Sequence, residues 1–240
     1  MAFPFGLFIE LASPESVEMA GWSGWDHCVI DCEHAPIDNA MLGSMLRAAR
    51  IPAYVRVPNS NAESIQGALD NGANGVIVPR LQSAAEAARV VEAARFFPEG
   101  KRGVNHMVRA AKYSLEPVAE YLAKASSQTR VIVQIETAPA LADVEQIAAT
   151  AGVDELFIGP YDLSQALEIP GQVLDARLLE AGKRIIAAAH AEQRAVSVFV
   201  NDDEAARRWI ELGADSLHYS ADTYLLAQTL KKTRDRLRIL

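Results

Sequence analysis

Short apolar runs rich in β-branched residues recur along the chain, separated by longer stretches whose apolar residues fall at helical spacing. The runs are Gly6–Leu11, His27–Asp31, Ala53–Val57, Gly75–Val78, Arg130–Ile135, Glu155–Ile158, Ala195–Val200 and Ser216–Tyr219. The expected helices are Pro14–Gly21, Asn39–Arg50, Ala62–Asn71, Ala84–Arg95, Pro139–Thr150, Leu174–Glu192, Asp203–Leu212 and Asp222–Leu237. Strict strand–helix alternation predicts a parallel sheet with right-handed crossovers. Eight such units in 240 residues predict an α/β protein closed into a (β/α)8 TIM barrel rather than an open doubly wound sheet. No glycine-rich dinucleotide fingerprint follows the first run. No linker or low-complexity tract divides the chain, so a single domain over residues 1–240 is expected. The longest insertion, residues 98–129, carries Gly100-Lys101-Arg102-Gly103 and a small helix over Val118–Ala125.

Half of the residues are hydrophobic, enough for a sizeable core. A net charge of −8 argues against nucleic acid or an anionic membrane as partner. No signal-peptide pattern or apolar stretch of membrane-spanning length is present, and the expectation is a cytoplasmic protein. Cys28 and Cys32 fall on one strand, their Cα atoms about 13 Å apart, too far for a disulfide. Free, buried thiols are expected.

In a barrel of this kind the residues just past the C-terminal ends of the strands line the active-site mouth. That rule selects Asp31, Glu33 and His34 after the second strand, Arg56 at the end of the third, and Pro79 and Arg80 after the fourth. Gln134 and Glu136 follow from the fifth, sharing one face, and Gly159-Pro160-Tyr161-Asp162 from the sixth. The seventh and eighth offer Asn201, His218 and Ser220. Glu136 and Asp162, on adjacent strands, can reach one hard divalent cation, with water and substrate oxygens completing its shell; helix capping is the competing role for Asp162. His34, in a loop at the mouth, is a candidate general base. Arg56 ends an apolar strand and needs an anionic partner, either Asp31 or a substrate carboxylate or enolate.

In these segments the sequence resembles the HpcH/HpaI aldolases, metal-dependent pyruvate aldolases of the phosphoenolpyruvate/pyruvate barrel superfamily. The resemblance runs through Ile30-Asp31-Cys32-Glu33-His34-Ala35-Pro36, Val55-Arg56-Val57-Pro58, Leu69-Asp70-Asn71-Gly72-Ala73 and Pro98-Glu99-Gly100-Lys101-Arg102-Gly103. It continues through Val133-Gln134-Ile135-Glu136-Thr137 and Phe157-Ile158-Gly159-Pro160-Tyr161-Asp162-Leu163-Ser164. It implies that Glu136 and Asp162 ligate Mg2+, Mn2+ or Co2+, on which pyruvate chelates. Backbone amides from Gly159 through Pro160 and Tyr161 to Asp162 would hold the substrate carboxylate, with Gln134 alongside. It further implies that Arg56 stabilises the enolate, that His34 is the acid/base, and that Asp70 orients His34, either within one chain or from a neighbour. The expected reaction is reversible cleavage of a 4-hydroxy-2-oxo acid to pyruvate and an aldehyde. A citrate-synthase-like or acyl-CoA lyase is the alternative. A homohexamer with an exchanged C-terminal helix is also implied. Arg80, Glu10 and Glu168 depart from the residues common at these places, leaving the acceptor open; Arg80 is expected to bind it.

Overall fold

The computed structural model describes residues 3–239. Eight strands form a closed, all-parallel barrel in sequence order. They are β1 (Phe5–Ile9), β2 (His27–Asp31), β3 (Ala53–Arg56), β4 (Gly75–Val78), β5 (Arg130–Ile135), β6 (Glu155–Ile158), β7 (Ala195–Val200) and β8 (Ser216–Ala221). The expected fold is the observed one. Around it lie α1 (Pro14–Trp22), α2 (Asn39–Ala48), α3 (Ala62–Asp70), α4 (Ala84–Ala94), α5 (Val118–Gln128), α6 (Ala138–Ala142), α7 (Val144–Ala148), α8 (Pro160–Ala166), α9 (Ala176–Ala191), α10 (Asp203–Leu212) and α11 (Asp222–Leu237). No helix is long and apolar enough to cross a membrane among the described residues.

Side chains alternate across each strand, so the barrel has two cores. Leu7, Ile30, Val55, Val76, Val133 and Leu156 pack outward against the helices. Phe8, Val29, Ile77, Ile132 and Phe157 fill the interior. The ring of Phe8 lies 6.0 Å from Phe157 and 5.4 Å from Phe199, plugging the barrel below its mouth.

Boundary differences from the sequence expectation have local causes. The first strand ends at Ile9, leaving Glu10 in the mouth; the Asp222 carboxylate accepts from the Glu10 N–H at 2.8 Å. The single helix expected over residues 139–150 is two, because Asp143 leaves helical geometry at φ −102°, ψ 13° and accepts from the Ala84 N–H at 2.7 Å. The apolar pattern does not predict α8. Pro160 starts it, and Glu168 just beyond it has φ +59°, a conformation that favours glycine. Arg95, at the C-terminal end of α4, anchors the insertion. It donates to the carbonyls of Ser126 (2.9 Å) and Thr129 (2.8 Å) and pairs with Asp154 at 2.8 Å. Both cysteines are free, and burial pushes both thiols up to about 12.

At the N-terminal end of the barrel Gly6 lies opposite His27 on one side and His218 on the other. A Cβ on Gly6 would stand 2.2 Å from His27 Nε2, so only glycine leaves room for the imidazoles to meet at 3.3 Å. Burial, opposed by Asp26 and helped by Arg130, pushes His27 down to about 4, and burial lowers His218 as well. A histidine held neutral in the fold stabilises fully above its unfolded pKa and loses that contribution as pH falls, because the unfolded chain takes the proton first. Unfolding free energy is therefore expected to drop between pH 6.5 and about 4, with His27 contributing at most about 3 kcal/mol. Denaturant titrations across that window check this: His27→Gln should show a shallower slope than the parent.

Candidate active site

The polar set selected from the sequence collects at the C-terminal mouth, around a cavity of about 160 Å³. Its lining includes Glu10, His34, Arg56, Gln134, Gly159, Tyr161 and Asp162 over a floor of Phe8, Phe157 and Phe199. This is below the roughly 300–1,000 Å³ typical of drug-sized ligand sites, so it accommodates a short substrate.

Asp31 and Arg56 are register partners on β2 and β3. Arg56 donates through Nε (2.8 Å) and Nη2 (2.7 Å) to the two oxygens of Asp31. Of the two partners left open by the sequence, Asp31 is the one present in the protein. The guanidinium carbon stands 4.9 Å over the Phe8 ring. Nη1 donates no hydrogen bond among the described residues, and Arg56 lines the cavity.

Glu33, placed at the mouth by the sequence without a role, proves central. Its side chain is only 3% exposed, with oxygens 2.9 Å from Arg80 Nε, 3.4 Å from Arg56 Nε and 3.8 Å from His34 Nε2. Asp31 Oδ1 accepts from the Glu33 N–H at 3.0 Å, a short Asx-type turn that sets its direction. Burial raises the Glu33 pKa, against the pull of Arg56, His34 and Arg80. Nothing in the sequence separates Glu33 from an ordinary loop glutamate. His34 is 63% exposed, at the rim.

Asp70 does not pair with His34 within the chain. It accepts from Arg102 at 2.6 Å and from Gln66 at 3.4 Å, beneath the insertion. Arg80 also differs from expectation: its side chain does not line the cavity and turns to Glu33. What faces the site is its backbone. With φ +55°, the Arg80 N–H donates to Glu136 Oε1 at 2.6 Å. Strained backbone of this kind persists where its surroundings over-determine it.

Glu136 follows the buried end of β5, and Gln134 donates to its Oε2. Burial, with Asp162 and Glu33 adding to it, pushes Glu136 up to about 7; the Arg80 N–H and Arg56 pull the other way. Asp162 sits in the first turn of α8 and accepts no hydrogen bond among the described residues; Gly159, not Asp162, occupies the N-cap position. The capping role is therefore not realised. Gln134 Oε1 is buried with no hydrogen-bond partner among the described residues. Two mutually repelling carboxylates beside an orphaned oxygen fit a hard divalent cation that takes one or two carboxylates. No group of three or more His, Cys, Asp or Glu that could hold a metal occurs among the described residues, which does not fit a closed structural zinc site.

A small mouth at the C-terminal end of the barrel, with carboxylates beside a fixed guanidinium, is the candidate active site of a barrel enzyme. Residues 4–229 match the family described as HpcH/HpaI aldolase/citrate lyase, and the chain belongs to that family of carbon–carbon lyases. It is 36% identical to the hydroxypyruvate/pyruvate aldolase of Paraburkholderia phytofirmans, over 98% of this chain and 93% of that one. It is also 36% identical to the 5-keto-4-deoxy-D-glucarate aldolase of Salmonella gallinarum, over 95% and 92%. A HpcH/HpaI aldolase/citrate lyase family protein from Burkholderia cenocepacia superposes with a TM-score of 0.93 at 36% identity, covering 98% of this chain and 95% of that one.

Gly159 lets β6 approach the carboxylate: a Cβ there would meet Gln134 Nε2 at 2.6 Å and Glu136 Oε2 at 2.8 Å. Gly159→Ala is expected to leave the fold intact, since φ −95° suits alanine, and to lower kcat/KM by about 10²-fold through displacement of Glu136. Far-ultraviolet circular dichroism with steady-state kinetics checks both parts.

Proposed function

We propose that the chain is a divalent-metal-dependent aldolase that reversibly cleaves a 4-hydroxy-2-oxo acid to pyruvate and an aldehyde. The observation that carries this reading is one small cavity lined by Asp162, Gln134 and Arg56, whose Nη1 is uncommitted, which Glu136, repelled by Asp162, adjoins through Gln134. The names of both relatives, aldolases acting through pyruvate-type chemistry or on a deoxy-keto sugar acid, favour aldol cleavage. Arg102 is buried against Asp70 and Lys101 pairs with Glu92, so neither offers a free cation for the phosphates of an acyl-CoA.

Glu136 and Asp162 would hold Mg2+, Mn2+ or Co2+, which when bound supplies Lewis-acid polarisation of the 2-oxo group. Arg56, locked by Asp31 and Glu33, donates from Nη1 to the oxygen that gains enolate charge, a donor fixed before reaction. Backbone N–H groups of Tyr161 and Asp162 at the start of α8 hold the substrate carboxylate, and Gln134 keeps Glu136 in place. His34 accepts the proton of the 4-hydroxyl in cleavage and returns it in condensation, and Glu33 is its acidic neighbour in the chain. Asp70 reaches His34 in this reading only from a second copy. The exposed apolar side chains of α11, Tyr224, Leu226, Leu230 and Leu237, support a homo-oligomer in which that helix is exchanged.

Deuterium exchange at the pyruvate methyl group in D2O tests the metal and enolate together. Exchange should require Mg2+ or Mn2+, vanish with chelator and fall at least about 10²-fold in Glu136→Gln; exchange that persists in excess chelator would refute the reading.

His34→Ala separates the second half of the reaction. Aldol cleavage should fall by about 10²–10⁴-fold, while metal-dependent exchange on pyruvate persists. Loss of metal affinity in this variant equal to that of Glu136→Gln would remove His34 from the acid/base role.

A further inference from the structure

The cavity wall that includes Asp162 also includes Glu10, just past the end of β1. Its Oε2 accepts from the Thr223 hydroxyl at 2.6 Å, and its backbone N–H is tied to Asp222 at 2.8 Å. The other carboxylate oxygen accepts no hydrogen bond, and no Lys, Arg or His forms an ion pair with Glu10 among the described residues. Asp222 stands directly behind it and spends its oxygens on the N–H groups of Glu10, Leu11 and Thr223. This side of the mouth therefore carries two carboxylates and no cation. Across the mouth the cations are already engaged: Arg56 by Asp31 and Glu33, and Arg80 by Glu33. A divalent ion between Glu136 and Asp162 would leave Glu10 as the uncompensated charge facing the substrate.

We propose that Glu10 selects the acceptor by charge, admitting a short, uncharged hydroxyaldehyde and rejecting aldehydes whose far end is a carboxylate. This rests on the aldolase reading above and adds the class of its second substrate. The wall suits a hydroxyl in two ways. Glu10 accepts a hydrogen bond from it, and the Tyr161 phenol, which accepts from Asn201 Nδ2 at 3.1 Å, keeps its own proton to donate. A second carboxylate would face Glu10 across a small cavity floored by Phe8, Phe157 and Phe199, where water screens poorly and like charges repel strongly. Because Glu10 belongs to the end of a barrel strand and is tied at both its backbone and its side chain, it cannot swing clear at little cost.

The test uses the whole enzyme with Mg2+ and pyruvate, and an isosteric acceptor pair: succinic semialdehyde, an anion at neutral pH, and its uncharged carboxamide. The parent enzyme should prefer the carboxamide in kcat/KM by about tenfold or more, and the preference should shrink as ionic strength rises. Glu10→Gln should bring the two within about threefold by improving the anion. The salt series on the unaltered enzyme refutes charge selection, whether or not the variant folds, if the preference does not change with ionic strength. Equal or better use of the anion by the parent, failure to use the carboxamide, or a preference that Glu10→Gln leaves in place would overturn the assignment. Pyruvate deuterium exchange in the parent keeps the two readings apart. Its absence refutes the aldolase reading, whereas exchange without charge selection refutes only the role of Glu10.

Discussion

The bidentate pair between Asp31 and Arg56 organises the mouth of this barrel. Taking an arginine to the end of an apolar strand is costly unless its charge and its donors are met. Strand register meets them, because Asp31 and Arg56 lie directly opposite on neighbouring strands. The aspartate consumes Nε and Nη2 and leaves Nη1 for the cavity. The same carboxylate turns the chain at Glu33, whose buried side chain then pairs with Arg80 at the rim. Arg80 brings its backbone N–H to Glu136. One ion pair thus fixes elements contributed by β2, β3, β4 and β5.

Charge balance explains why the site calls for a cation. Asp31 and Glu33 are paired with Arg56 and Arg80, while neither Glu136 nor Asp162 forms an ion pair among the described residues, and burial with repulsion from Asp162 pushes Glu136 up to about 7. A divalent ion would relieve both the repulsion and the desolvation cost. The opposite end of the barrel settles its buried polar groups differently. There His27 and His218 share a hydrogen bond as neutral rings, and Arg130 meets Glu155 at 3.0 Å. Stability chemistry and reaction chemistry occupy opposite ends, as the fold generally arranges them.

The pattern of apolar runs was sufficient to determine eight strands, their order and the closed barrel, because alternation of buried strands and amphipathic helices has few other solutions. It also determined which residues gather at the mouth, since direction of travel along a parallel strand decides which end a residue occupies. His34, Arg56, Gln134, Gly159 and Asp162 line one cavity, and Glu136 adjoins it, for that reason. Tertiary structure alone decided the pairing among them. Glu33 outranks Asp70 as the neighbour of His34 in the chain, Arg80 contributes a backbone N–H rather than a side chain, and Glu10 lines the cavity without a cationic partner among the described residues. Such assignments depend on side-chain reach and on backbone angles such as φ +55° at Arg80. They depend also on the competition of several charges for one partner across strands distant in sequence, and a linear pattern carries none of these.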